Sequence, residues 1–170
     1  MKRQGEAMEN IQYLESIIAN RILEESLKVN NVLISYVTKA CKFLQYSEKD
    51  LKKIILGVYL MDIGLKVDFI SSEDYDNHTI NGCMMMSGID DVEIIKNIVL
   101  LHHENKIGTG FPYGLMGNEI PKYVQIVSIC NDYLNHKAEG DLRYNEIISE
   151  LGLLYNENMI EYLSDFIFDK

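Results

Sequence analysis

Apolar residues recur at three- and four-residue steps along almost the whole chain, and that spacing restricts it to helices. Met8, Ile11, Leu14, Ile18 and Ile22, with charges between them, mark one helix of several turns. Residues 32–44 give a second. Ser47 followed by Asp50 resembles a capping box opening a third, which carries Leu51, Ile54, Ile55, Val58 and Tyr59. Asp90 and Glu93 repeat that start signal ahead of Ile94, Ile95, Ile98, Val99 and Leu101. Pro121 opens a further helix through Val124, Val127 and Ile129. The chain closes on two shorter helices, over residues 141–154 and 156–168. Strand alternation is not sustained anywhere, and Asn81–Gly82 sits inside a helical pattern rather than between strands. The expectation is an all-α, single-domain helical bundle. Residues 1–28 form an N-terminal helix packed on the domain that residues 29–170 build.

At 170 residues the chain is long enough for one domain with a real core. Its formal charge of −10 argues against duplex nucleic acid as a partner. An anionic substrate would need a metal or a local basic patch to overcome that field. Cys41, Cys83 and Cys130 are far apart, each in an apolar stretch, which reads as buried thiols in a reducing compartment. No apolar run approaches ~20 residues, so no membrane span is expected. Lys2 and Arg3 soon meet Glu6 and Glu9 and leave no signal-peptide core. The expected location is the cytoplasm. Met84, Met85 and Met86 read as adaptable core packing.

One segment breaks the helical pattern. Residues 105–120 hold Gly108, Gly110, Pro112, Gly114 and Gly117, and no helix can run through them. Irregular stretches of that length inside a compact domain are usually functional or disordered. This one follows directly on His102 and His103, two of only four histidines in the chain. Adjacent histidines at a helix end also complement the negative end of the macrodipole. Their order relative to an upstream aspartate is what favours a site.

Met61-Asp62-Ile63-Gly64 closes one helix, and His78 follows, four residues before Gly82. His102-His103-Glu104 runs into Gly108-Thr109-Gly110-Phe111-Pro112, then Leu115, Gly117, Glu119, Ile120 and Pro121. A last apolar helix carries Asn131 and Asp132. This series resembles the HD-GYP family, in which an H-D-I-G element, a downstream histidine, an H-H-E to G-x-G-Y-P loop and a late aspartate occur in that order. The resemblance runs over residues 29–134, with Phe111 in place of the family's tyrosine. It implies a helical bundle of the HD/HD-GYP type with a long glycine-rich loop. The family binds two or three metal ions, and its usual substrate is cyclic di-GMP. Paired cations there polarise a phosphoryl oxygen and lower the pKa of a bound water.

The carry-over is uneven. Asp62 matches the metal-bridging aspartate, and His78, His102 and His103 match the ligands of one metal. The family's HD histidine is Met61 here, and a thioether is a poor ligand for iron, manganese or zinc. The early family histidine would fall near Val29 or Asn30. The late aspartate aligns with Asn131; a one-residue slip to Asp132 turns the side chain by ~100°. Leu65 stands where a phosphate-contacting lysine is usual. The resemblance therefore implies one divalent ion (iron, manganese or zinc) on Asp62, His78, His102 and His103, without a second. Asp62, Asn131 and Asp132 are the candidates for any catalysis. Glu104, Lys106, Gly108, Gly110, Phe111 and Pro112 form the candidate ligand loop, with Lys106 as an anion contact or a plain surface lysine.

The leading expectation is a degenerate HD-GYP-like domain in cyclic-dinucleotide signalling, of the bacterial type. It would bind cyclic di-GMP or a signalling protein with weak or no phosphodiesterase activity. An active phosphohydrolase that rebuilds its second metal site with Asp132 is the alternative. A purely structural interaction module is the third reading. The apolar stripe of the N-terminal helix also offers a face through which two chains could pair.

Overall fold

The computed structural model describes residues 31–65, 75–140 and 142–168. The first predicted helix and positions 29 and 30 lie outside these. The described residues form seven α-helices and no strand: α1 (Asn31–Phe43), α2 (Glu48–Leu60), α3 (His78–Met85), α4 (Glu93–Leu101), α5 (Lys122–Glu139), α6 (Tyr144–Leu154) and α7 (Glu157–Phe166). The all-α expectation holds. Among the described residues, no helix is long and apolar enough to cross a membrane.

Local chemistry sets several boundaries. The Ser47 hydroxyl accepts the Asp50 amide at 3.1 Å and caps α2 as expected. Asn156 caps α7 by accepting from Met159 N. Helix α4 starts later than the Asp90 signal suggested: it opens at Glu93 after Val92, without a side-chain cap. Asp91 has a φ of 59° and pairs with Lys53 and Lys49 of α2, so its carboxylate serves a contact between helices rather than a cap. The glycine segment stays irregular except for a single 3₁₀ turn, Gly117–Glu119.

Helix α2 packs on α4, α1 on α5, and α3 on α4. The buried side chains fall into two clusters. The larger takes Tyr36, Val37, Ile54, Ile98, Val124, Val127, Leu151 and Leu163, among others, and reaches across α1, α5, α6 and α7. The smaller joins Leu56, Leu60, Ile63, Met86, Val92, Ile95 and Val99 beneath α2, α3 and α4. Of the three consecutive methionines only Met86 is core; Met84 and Met85 are 67% and 55% exposed, which corrects the packing expectation for them. They sit near the end of a short helix whose inner face is already filled by Thr79, Gly82 and the histidine at its start. Cys41 and Cys130 are buried as expected, but Cys83 is half-buried.

The two clusters meet at the turn after α2. Met61 belongs to the larger, Ile63 to the smaller, and Asp62 lies between them, turned towards α3 and α4. Apolar neighbours thus hold a carboxylate-bearing turn from both sides.

Candidate metal centre

Three chain segments converge on one point. Asp62 comes from the turn after α2, His78 is the first residue of α3, and His102 and His103 follow α4. One ligand atom from each lies within 4.8 Å of all the others. Gly64 makes the first approach feasible: a Cβ there would stand 2.0 Å from the His78 carbonyl oxygen and 2.5 Å from Gly82 N. Any side chain at 64 would push the Asp62 turn off the start of α3. The four-residue spacing of His78 and Gly82 puts both on the face that receives that turn.

The imidazoles are oriented by the backbone. His102 Nδ1 lies 3.1 Å from the carbonyl oxygens of both Ile98 and Val99, and His78 Nδ1 contacts the Tyr75 carbonyl oxygen. A carbonyl only accepts, so both Nδ1 atoms carry a proton, and in the neutral imidazoles both Nε2 atoms present a lone pair. Those two Nε2 atoms face each other at 3.4 Å. Asp62 Oδ1 stands 3.3 Å from the first and 3.5 Å from the second. Two lone pairs and a carboxylate oxygen directed at one another repel unless a proton or a metal cation lies among them. Backbone-fixed tautomers of this kind are the usual outer support of metal-binding histidines.

The electrostatics agree. Burial pushes the Asp62 carboxyl up, yet hydrogen bonds with His102 and His78 and their positive field outweigh it and hold it well below the usual carboxylate range. His78 is lowered by burial but raised on balance by Asp62 and the Tyr75 carbonyl. Burial, then the repulsion of His102 and His78, takes His103 down to about 3. Its ring is stacked on Phe111 with centroids 4.4 Å apart, and the Tyr75 hydroxyl is 3.5 Å from its Nε2. This set of two buried and one half-buried imidazole with a half-buried carboxylate fits a divalent ion such as zinc, iron or manganese.

The remaining candidates occupy other roles. Glu104 is fully buried, and its two oxygens accept the amides of Tyr113 at 2.7 Å and Leu115 at 2.8 Å. It braces the glycine loop from inside rather than facing a ligand. The Lys106 ammonium donates to the Gly152 carbonyl at 2.7 Å, and its amide donates to Leu154. That tie satisfies carbonyls at the C-terminus of α6, so Lys106 is not a free surface lysine. Gly108 has a φ of +74°, the left-handed region that favours glycine. At Gly110 a Cβ would meet the His103 carbonyl oxygen at 2.2 Å; the close approach there is to the chain's own backbone. Phe111 and Pro112 are half-buried, with Phe111 lying over His103.

Among the described residues, the other candidate ligands do not join this cluster. Met61 is packed in the larger core cluster. Asn131 and Asp132 are half-buried on α5, and Asp132 Oδ2 accepts the Tyr155 hydroxyl at 2.6 Å. Burial raises the Asp132 carboxyl despite that bond. Among the described residues, no other group of three or more ligand side chains could hold a metal. His136, outside the site, lies 3.9 Å from both Glu139 and Glu150.

Tyr75 was not foreseen. Its carbonyl holds His78, and its ring touches His78, His103 and Phe111. Its place one helical turn before His78 is the only trace of this in the sequence.

A family model described as HD domain matches residues 12–158. Among solved structures the chain is similar to Bd1817, a HDG"Y"P protein from Bdellovibrio bacteriovorus, with a TM-score of 0.62 and 20% identity over 81% of this chain and 52% of that one. The chain spans about half the length of that protein, and the likeness is one of fold. No curated protein matches it.

Proposed function

Because the chain belongs to the HD domain family, we propose that it is a degenerate HD-GYP-type domain in cyclic-dinucleotide signalling. It holds one divalent ion and binds a ligand or a protein partner with weak or no phosphodiesterase activity. The observation that carries this reading is the contrast at Asp62: three histidines converge with its carboxylate, while the neighbouring Met61 is built into the core. Asp62, His78, His102 and His103 would hold the ion. Bound there, it would supply Lewis acidity towards a phosphoryl oxygen or a water. The Ile98, Val99 and Tyr75 carbonyls keep the imidazoles in the ligand tautomer, and Phe111 shields one face of His103. Asp132 does not favour the active alternative, because one oxygen is engaged by Tyr155 and burial opposes its ionisation.

Hydrolysis of cyclic di-GMP, with manganese or iron supplied, is the test. Losing one of two catalytic ions forfeits several kcal/mol of transition-state stabilisation, so turnover should lie orders of magnitude below that of ordinary enzymes. Turnover near ~1–10 per second would overturn the reading.

A further inference from the structure

The outer faces of α3 and α4 flank an open hollow of about 340 Å³ that shares no residue with the candidate metal cluster. Ile80 and Met84 of α3, Leu100 of α4 and Tyr113 of the glycine loop give it apolar walls. Lys96 of α4 is its one cation. The Lys96 ammonium makes no hydrogen bond or ion pair with any described residue, a condition it shares with Lys39, Lys42, Lys52 and Lys122, but it alone of these lines the hollow. On a chain of charge −10, an unpaired ammonium beside an apolar hollow is complementary to an anionic head on an apolar body. The rim can adapt: Met84 and Tyr113 are 67% and 62% exposed. At about 30 Å³ for each water-sized group, that volume corresponds to a body on the order of ten non-hydrogen atoms.

We propose that this hollow is a binding site for a small anionic amphiphile, with a carboxylate or phosphate-monoester head on Lys96 and an acyl or aryl body against Ile80, Met84, Leu100 and Tyr113. The site does not depend on the metal reading. It does share scaffolding with the cluster, since α3 begins at His78, α4 leads into His102, and Tyr113 lies two residues from Phe111.

Cys83 provides a built-in reporter, because it lines the hollow and is half-buried. Cys41 and Cys130 are buried, and burial pushes the Cys41 thiol up to about 12 and the Cys130 thiol higher still. The native protein should therefore show one fast thiol towards a neutral alkylating agent such as iodoacetamide. Octanoate, phenyl phosphate and octanol are titrated against that rate. The expected result is saturable protection of Cys83 by octanoate, phenyl phosphate or both. Half-protection falls at or below about 1 mM, as befits a ligand of this size. Octanol should be at least tenfold weaker. Whichever anion protects identifies the head group. Lys96→Met should abolish the anion preference, and Lys96→Arg should retain it. The Met84 methyl resonance, assigned with Met84→Leu, should shift along the same titration and provides a readout independent of thiol reactivity. Absence of both protection and methyl shift would overturn the proposal. So would equal effects of octanol and the anions, or an anion preference that survives Lys96→Met.

Discussion

The two sides of Asp62 differ in what surrounds the polar groups. On the histidine side, each orienting Nδ1 is tied to backbone carbonyls, and the Nε2 atoms and carboxylate converge with nothing apolar between them. On the other side the HD position carries Met61, whose side chain has become part of the larger core. The first side keeps an arrangement in which the facing groups repel unless a proton or a metal cation lies among them. The second has apolar packing at the position beside Asp62.

The largest expected effects separate these two sides. His102→Ala should weaken metal binding by more than about a hundredfold, exceeding the loss typical of outer-shell changes, measured by competition with a chelator. Met61→Ala should leave metal affinity within a few-fold but cost about 2–5 kcal/mol of stability, as deletions of buried side chains do. Met61→His should also destabilise, because an imidazole replaces a side chain in the core, and it should not create a second site. Strong binding of a second ion by that variant would break the comparison.

An intermediate effect is expected in the loop. Gly110→Val places atoms where the His103 carbonyl oxygen and the Glu104 Cα already are. Overpacking of this kind typically costs about 1–3 kcal/mol. Helical content by circular dichroism should be largely retained while metal affinity falls, because the displaced backbone carries His103. Global unfolding would show instead that the loop is part of the core.

The smallest effect is electrostatic. His103 in the folded, metal-free protein resists its proton down to about 3, whereas the unfolded chain takes it up near 6.5. The unfolded state therefore binds more protons in that window, and stability falls as pH drops from about 6.5 towards 3. His78 has the opposite sign: its raised value contributes stability that is present below the unfolded pKa and lost as pH rises through the folded one. His103→Gln should reduce the acid-side slope by at most about 1.4 kcal/mol per pH unit, the contribution of one proton, read from chelated samples unfolded at several pH values. An unchanged slope would mean that His103 is not held neutral.

The helices and the convergence of the candidate quartet were legible because both rest on residue type at fixed spacing. Apolar periodicity marks the inner faces, and Asp62, His78, His102 and His103 stand out among four histidines and a glycine loop. What the spacing could not convey was the direction in which polar side chains of the loop point. Glu104 and Lys106 follow the histidine pair and read as ligand contacts, yet the loop's amides and the end carbonyls of α6 engage them. Tyr75 was invisible because half of its role is played by a backbone carbonyl, which every residue possesses. The exposure of Met84 and Met85 also escaped, since three consecutive methionines cannot all face inward from one helix.

Metal stoichiometry tests the central claim most directly. The protein is purified at neutral pH, supplied with zinc, manganese or iron, freed of loose ions, and analysed for metal per chain beside His102→Ala. The account predicts one ion per chain in the parent and none in the variant. Because the ion binds the native state, chelation should lower the melting midpoint of the parent alone, by the equivalent of about 2.7 kcal/mol at a hundredfold excess over Kd. Two ions per chain, or none with a midpoint indifferent to chelator, would contradict it.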